Sequence, residues 1–437
     1  MLNKGLKEVV VGLLGGVLFY LAFSKYNLYY LIFPALFLGL RREKLTFFTF
    51  GFTSFFLSLW WLRLPVMQTG EYPYFYAVFG ALFIVLGVFL IQFGLTFLVW
   101  KLLKFNWYAL PFIYVLVEIL RSYLPFSGFP WLLLGTTLVD IPLLKYSLIP
   151  FTVYGGSLIT IFLSLLPRFK KGKIFILTGV ILITSIGHLS RELNNPPKGF
   201  KVAIVQPNTP QIVKLNEEAF KKEYPSILEL LKKAHSKQPD LIILPESSLP
   251  FFLSEIHIKG EELLNLSQEV PIILGILEIE EPFIPYNSAV LLYEGKVLDK
   301  YRKHILVPFG EYTPFPFKLL SSLVPYFGLT NYERGEGAKC FKVKGVSIGT
   351  PICFEVAYPF YIKKFSCNLI AVLTNDAWFL DSDGTHQHMK IARVRALENS
   401  TYILWVNNTG PSAVISPEGK VLKELPYGER GVLFFSF

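Results

Sequence analysis

The sequence predicts two unlike halves: a polytopic α-helical membrane domain over residues 1–192 and an α/β domain over 201–437, joined by a linker at 193–200. Three observations point there. The 437-residue chain is 52% hydrophobic and only 17% charged, against about 25% charged in an average soluble protein. The basic excess lies in one half: residues 1–199 carry 17 Lys+Arg and 6 Asp+Glu, whereas 200–437 carry 25 and 26. Past residue 200, long apolar runs give way to short alternating runs interleaved with helical spacing. This hydrophobicity excludes a disordered chain, and three cysteines are too few for a disulfide-built scaffold. A nucleic-acid binder would gather its basic residues on a polar domain. Here they lie between apolar runs, as in membrane proteins.

A bilayer core of about 30 Å needs about 20 apolar helical residues. Seven stretches are candidates: 7–24, 27–40, 45–64, 74–101, 106–124, 147–167 and 174–190. The second is short, and the fourth is long enough to tilt. A cleaved leader is not expected, because further apolar spans follow the first at once. One set of connections carries Lys4, Lys7, Arg41, Arg42, Lys44, Lys101, Lys104, Arg168, Lys170, Lys171 and Lys173. The alternate set carries only Lys25, Arg63, Arg121 and Lys145. The positive-inside rule then places the N-terminus in the cytoplasm and the α/β domain outside. Glu118 and Arg121 stand three apart on one helix face and read as an ion pair, or as part of a headgroup site. Phe126-Ser127-Gly128-Phe129-Pro130-Trp131 cannot continue a helix and is expected at the interface, with Trp131 at headgroup level.

In the second half, strands are expected at 201–206, 241–244, 271–277, 288–293, 297–301, 346–353, 369–374, 402–406 and 413–415, and helices at 216–235 and 386–400. Three polar residues stand at strand ends: Glu246 after LIILP, Lys303 before HILVPFGEY and Cys353 before Phe354-Glu355. Rigid sheets present chemistry at such ends. A cysteine nucleophile needs a base, because a free thiol is mostly protonated at neutral pH. A buried Glu can serve, and a nearby Lys stabilises thiolate and oxyanion alike. Singly, each signal is weak: a lone Cys is more often a small buried hydrophobe.

Together, LPES (244–247), YRKHILVPFGEY (301–312) and CFE (353–355) resemble the nitrilase superfamily. With the membrane half, FSGFPW (126–131), VQPNTPQ (205–211), LVPFGE (306–311), and NDAWF followed by QH and RALE (375–398), the chain is similar to the apolipoprotein N-acyltransferase family. The resemblance implies a nitrilase-like α-β-β-α sandwich for the second domain. It implies Glu246 as general base, Lys303 as oxyanion stabiliser and Cys353 as nucleophile. Glu311 and Glu355 support them, and the Phe354 N–H joins the oxyanion hole. The implied reaction moves a fatty acyl chain from a phospholipid, by resemblance phosphatidylethanolamine, through a Cys thioester to the N-terminal α-amine of a diacylglyceryl apolipoprotein. The implied location is the bacterial inner membrane, with the catalytic domain on the periplasmic face. No cofactor, metal or nucleic acid is expected. The chain departs from the family pattern at Phe354, where Tyr is usual, and at Leu215, where Trp is usual. The family's final membrane helix has no counterpart in Gly431–Phe437, which is too short to span.

A membrane-tethered carbon-nitrogen hydrolase (an amidase) and a non-enzymatic scaffold are the alternatives; the intact Glu246, Lys303 and Cys353 argue against the second. Asp381-Ser382-Asp383-Gly384 fails as a calcium loop, and His386 and His388 are wrongly spaced for one helical zinc face. Arg395 and Glu398 read as an i,i+3 pair. Cys340 and Cys367 are expected as free thiols. The aromatic, Pro-broken stretch 308–331 is expected to form a lid near the membrane surface, with Phe315 and Phe317 as candidate lipid contacts and Phe251 and Phe252 on a second arm.

Overall fold

Among the described residues of the first half, four helices are long and apolar enough to cross a membrane: Lys4–Phe23, Lys44–Gln68, Tyr74–Leu102 and Leu144–Arg168. The computed structural model describes residues 3–69, 73–193, 196–315, 317–320 and 331–437. Two shorter apolar helices, Tyr29–Gly39 and Lys173–Leu189, fall below that length. The fifth expected span is a helix of 14 residues, Leu110–Tyr123, about 21 Å against the roughly 30 Å of hydrocarbon. Large apolar side chains such as Phe79, Phe175 and Ile174 point outward, as lipid-facing surfaces require. Small residues set a close helix contact. A Cβ on Gly16 would lie 2.5 Å from the Thr53 side chain, so this glycine lets helices Lys4–Phe23 and Lys44–Leu59 meet closely.

The chain divides into two compact units, 1–192 with 381–398, and 193–380 with 399–437. Helix Asp383–Glu398 thus groups with the membrane helices, and its polar residues take up what those helices leave unsatisfied. The helix Leu148–Leu165 is broken at Phe151 and Thr152, and the freed N–H of Val153 donates to Glu398 Oε1 at 2.6 Å. Glu398 also pairs with Arg395, as the spacing predicts. Gln387 accepts from the Trp61 and Trp131 indoles at 3.1 and 2.8 Å and donates to the carbonyls of Phe23 and Ser58. Trp131 is therefore buried inside the protein, 2% exposed. Glu118 and Arg121 do not pair with each other. Glu118 accepts from the Leu134 N–H, while Arg121 donates to Gln92 and to the carbonyls of Phe129 and Trp131.

The second unit holds two six-stranded sheets. The strands are β1 (Lys201–Gln206), β2 (Leu241–Ile243), β3 (Ile272–Glu280), β4 (Ile284–Tyr293), β5 (Lys296–Arg302), β6 (Cys340–Val343), β7 (Val346–Gly349), β8 (Leu369–Thr374), β9 (Tyr402–Asn407), β10 (Ser412–Ile415), β11 (Val421–Leu425) and β12 (Gly431–Ser436). Their orders are β12-β1-β2-β3-β4-β5 and β11-β10-β9-β8-β7-β6. In each sheet three successive strands run parallel, β1–β3 and β7–β9. Both faces of β1 are buried, which accounts for its unbroken apolar run. Helix Glu217–His235 covers the first sheet. Asn216 caps its N-terminus by accepting from Ala219 N at 2.9 Å. Glu217 and Glu218 stand in the first turn and Lys232 and Lys233 in the last, complementing the helix dipole. Its Phe220, Ile227 and Leu231 pack on Ala203, Val205, Ile242 and Leu274.

Three strands escaped the sequence reading: β6, β11 and β12. The expected strand 346–353 stops at Gly349, because Pro351 has no N–H to donate, and Cys353 opens a 3-10 turn to Ala357. The expectation of free Cys340 and Cys367 is also overturned. They form a disulfide with Cα atoms 6.1 Å apart. Cys340 pairs with Gly349 across β6 and β7, and the loop entering β8 returns Cys367 beside the same glycine.

Candidate active site

Glu246 follows β2 on a loop laid flat over β3. The Gly275 N–H donates to the Pro245 carbonyl at 3.2 Å, and Ser248 returns both its N–H and hydroxyl to the Gly275 carbonyl. A Cβ on Gly275 would lie 2.6 Å from the Glu246 Cα, so only glycine permits this approach. Glu246 is 8% exposed. Its Oε1 accepts from Asn287 Nδ2 at 2.7 Å and stands 3.5 Å from Lys303 Nζ.

Lys303 leaves the end of β5. Its N–H donates to the Asn287 carbonyl at 2.8 Å, and its own carbonyl accepts from Gly335 N. The ammonium is 1% exposed and donates to Glu311 Oε1 at 2.8 Å. Burial alone would pull its pKa down; Glu311, Glu246 and Cys353 outweigh that and raise it. Glu311 is fixed by its own turn, accepting from Val307 N on Oε2 at 2.9 Å, and its Oε1 also receives Asn287 Nδ2 at 3.0 Å.

Cys353 stands at φ 51°, in the left-handed region that costs a non-glycine residue about 1–3 kcal/mol. Burial, with Glu246 beside it, pushes the thiol well above its usual pKa, against the opposing pull of Lys303. Glu355 underlies this turn. It accepts from the N–H groups of His304, Ile305 and Ile352 and from the Tyr301 hydroxyl, at 2.7–3.0 Å. One buried carboxylate thereby ties the segment after Lys303 to the residue before Cys353, and burial raises its pKa.

The structure therefore brings Glu246, Lys303, Cys353 and Glu311 together and sets Glu355 behind them. Phe354 is 7% exposed, its ring edge-on to Tyr358. The aromatic residues expected on lids divide. Phe315 is exposed, Phe317 packs against Phe309, and Phe252 is 38% exposed. Phe251 is corrected to core: it is 6% exposed and packs on Tyr224. Residues 316 and 321–330 of the 308–331 stretch lie outside the described residues. Asp381 and Ser382 lead into helix Asp383–Glu398, with Ser382 Oγ accepting from Gly384 N.

Sequence reading missed Asn287, whose amide joins the two carboxylates. It also missed a buried amide chain in which Asn375 donates to Gln211, and Asn408 donates to Asn375 and to the Thr209 carbonyl. The Pro-flanked VQPNTPQ segment was the available signal for the second.

Known proteins match both halves. Residues 201–436 fit the carbon-nitrogen hydrolase family and 15–166 the apolipoprotein N-acyltransferase N-terminal domain. An apolipoprotein N-acyltransferase of Aquifex aeolicus is 56% identical over 100% of both chains. That of Coxiella burnetii is 31% identical, covering 97% of this chain and 92% of its own. Among solved structures, an amidase of the nitrilase superfamily from Nesterenkonia AN1 is 19% identical with a TM-score of 0.42, covering 56% of this chain and 92% of its own.

Proposed function

Because the chain belongs to the apolipoprotein N-acyltransferase family, we propose that it carries a fatty acyl chain from a membrane phospholipid to the α-amine of a diacylglyceryl-cysteine apolipoprotein, by way of a thioester on Cys353. The observation that carries the reading is the convergence of Glu246 and Lys303, 3.5 Å apart, on a high-pKa thiol. Glu246 takes the Cys353 proton as sulfur attacks the sn-1 ester carbonyl. Lys303, with the Phe354 N–H, stabilises the tetrahedral oxyanion. The C–O bond breaks, Glu246 returns the proton to the departing lysophospholipid oxygen, and a thioester remains. The acceptor amine then attacks the thioester. Glu246 takes the amine proton, the C–S bond breaks, and the proton returns to sulfur. Ester to thioester to amide needs no external energy source, since the amide is the most stable of the three acyl forms.

Phosphatidylethanolamine is the proposed donor. Phe315 and Phe317 are the proposed lipid contacts, and an apolar cover there would shield the thioester from water. The proposed setting is the inner membrane with the N-terminus inside and the catalytic unit on the periplasmic face. Loop charge supports this orientation, as does the Cys340–Cys367 disulfide, since such bonds persist outside the reducing cytoplasm. Intact-mass measurement after incubation with phospholipid alone tests the central step. One acyl mass on Cys353, released by neutral hydroxylamine, is expected. Acyl transfer without any enzyme adduct would overturn the two-step reading, and hydrolysis of small amides with no response to phospholipid would favour an amidase.

A further inference from the structure

Glu246 is held at both ends. Its carboxylate meets Asn287 and Lys303, and its main-chain carbonyl accepts a hydrogen bond from Lys214 Nζ at 3.2 Å. Lys214 ends the short helix Gln211–Lys214, which directly follows the Pro-flanked loop after β1. That helix is itself anchored: Gln211 accepts from Asn375 at 2.8 Å, within the amide chain to Asn408 and Thr209. The half-buried Lys214 ammonium also lies 5.7 Å from the centre of the Phe220 ring. Its nearest negative group is Glu246, while Glu217 of the following helix is engaged by Lys221.

We propose that Lys214 is a positioning residue for Glu246, pinning the loop after β2 through the Glu246 carbonyl and placing a second positive charge beside the base. The proposal rests on the reading of Glu246 as general base. Its physical basis is that a charged donor makes a stronger hydrogen bond than a neutral one, and that this bond fixes the main chain from which the carboxylate extends. A misplacement of about 1 Å in a catalytic group is enough to cost about a hundredfold in rate.

The charge state of Lys214 gives the proposal a signature. Burial pulls its pKa down to about 8, with Glu246 opposing. The charged and titratable groups that face Glu246 are Lys214 from the short helix, Lys303 from the end of β5, Glu311 from the turn beyond it, Tyr332, and Cys353 from the turn after β7. Burial, opposed by Glu311, Glu246 and Cys353, leaves Lys303 raised; burial and Glu246 raise Cys353 well above its usual value; and burial pushes Tyr332 up to about 12, so none of these three titrates near 8. Lys214 is charged below its pKa and neutral above it. Cys353 acylation should therefore slow as pH rises through about 8, by about fivefold.

The test is single-turnover acylation of the full-length protein in phosphatidylethanolamine nanodiscs, read by intact mass from pH 6 to 10, for wild type, Lys214→Met and Lys214→Arg. Lys214→Met should lower the maximal rate about tenfold, leave the donor concentration at half-saturation within about twofold, and lose the alkaline limb. Lys214→Arg, which stays charged throughout this range, should recover most of the rate and move the limb upward. Persistence of the limb in Lys214→Met, or a loss confined to donor affinity, would overturn the proposal. A lower melting temperature with the pH profile unchanged would do the same, since it marks a merely structural lysine. Glu246→Gln run in parallel separates the two levels. If it still acylates, the base assignment itself falls; if it is inactive while Lys214→Met behaves as wild type, only the role of Lys214 falls.

Discussion

Asn287 directs its amide to two carboxylates, Glu246 at 2.7 Å and Glu311 at 3.0 Å, and its carbonyl accepts from the main chain of Lys303. Asn287→Leu should therefore slow Cys353 acylation about a hundredfold, read by single-turnover intact mass. An unchanged rate would show that Lys303 alone positions both acids. Glu246→Gln, Lys303→Ala and Cys353→Ala should each abolish turnover while the protein stays folded, and double variants should be no worse than the worst single one. Near-normal turnover in Lys303→Ala would remove the nitrilase-type mechanism. At this scale, the residues legible in the sequence were those lying inside contiguous motifs. Asn287 sits in mid-strand on β4 and gains its role from partners 41 and 24 residues away. Phe251 and Phe252 look alike in sequence; only the core beneath the loop buries one and leaves the other exposed.

The long helices were legible because their apolar spacing and caps are local; the short ones, Gln211–Lys214 among them, were not. Strands β6 and β11 were not: they are the two edges of one sheet, and β11 is largely exposed. A half-solvated edge strand carries charged residues and loses its apolar alternation. The grouping of helix Asp383–Glu398 with the membrane helices was equally hidden, because its partners lie more than 200 residues away. Gln387→Leu would strand two buried indole donors and two carbonyls, and should lower stability by about 2–4 kcal/mol, measured by thermal unfolding in detergent. A shift below about 0.5 kcal/mol would mean that water replaces the glutamine. Replacing Phe315 and Phe317 together with Ser should slow transfer to the apolipoprotein amine while Cys353 still acylates; equal loss of both half-reactions would mark the segment as core.

Orientation belongs to the whole molecule. Cysteines engineered singly at Lys420 and Lys171, in a Cys353→Ala background, should react with an impermeant reagent in spheroplasts at the first site and not at the second; the reverse would overturn the charge-based topology. Opening the 27-residue Cys340–Cys367 separation by a double Ala replacement should lower stability by about 3 kcal/mol. The first and last strands of the second unit add a constraint of time. β12 pairs along the whole of β1, and beyond its end the Phe437 N–H donates to the Phe200 carbonyl while the Phe437 carbonyl accepts from Gly199. During synthesis, at about 5–20 residues per second, an N-terminal strand can wait many seconds for a partner made last. With 230 residues between Lys201 and Gly431, β1 spends that interval with an open edge. The membrane helices up to Leu189 are made before β1, and helix Asp383–Glu398, which groups with them, is made before β12. A ribosome stalled just short of Gly431 would thus leave a finished anchor carrying an unfinished sheet, whose open edge invites a chaperone or a protease.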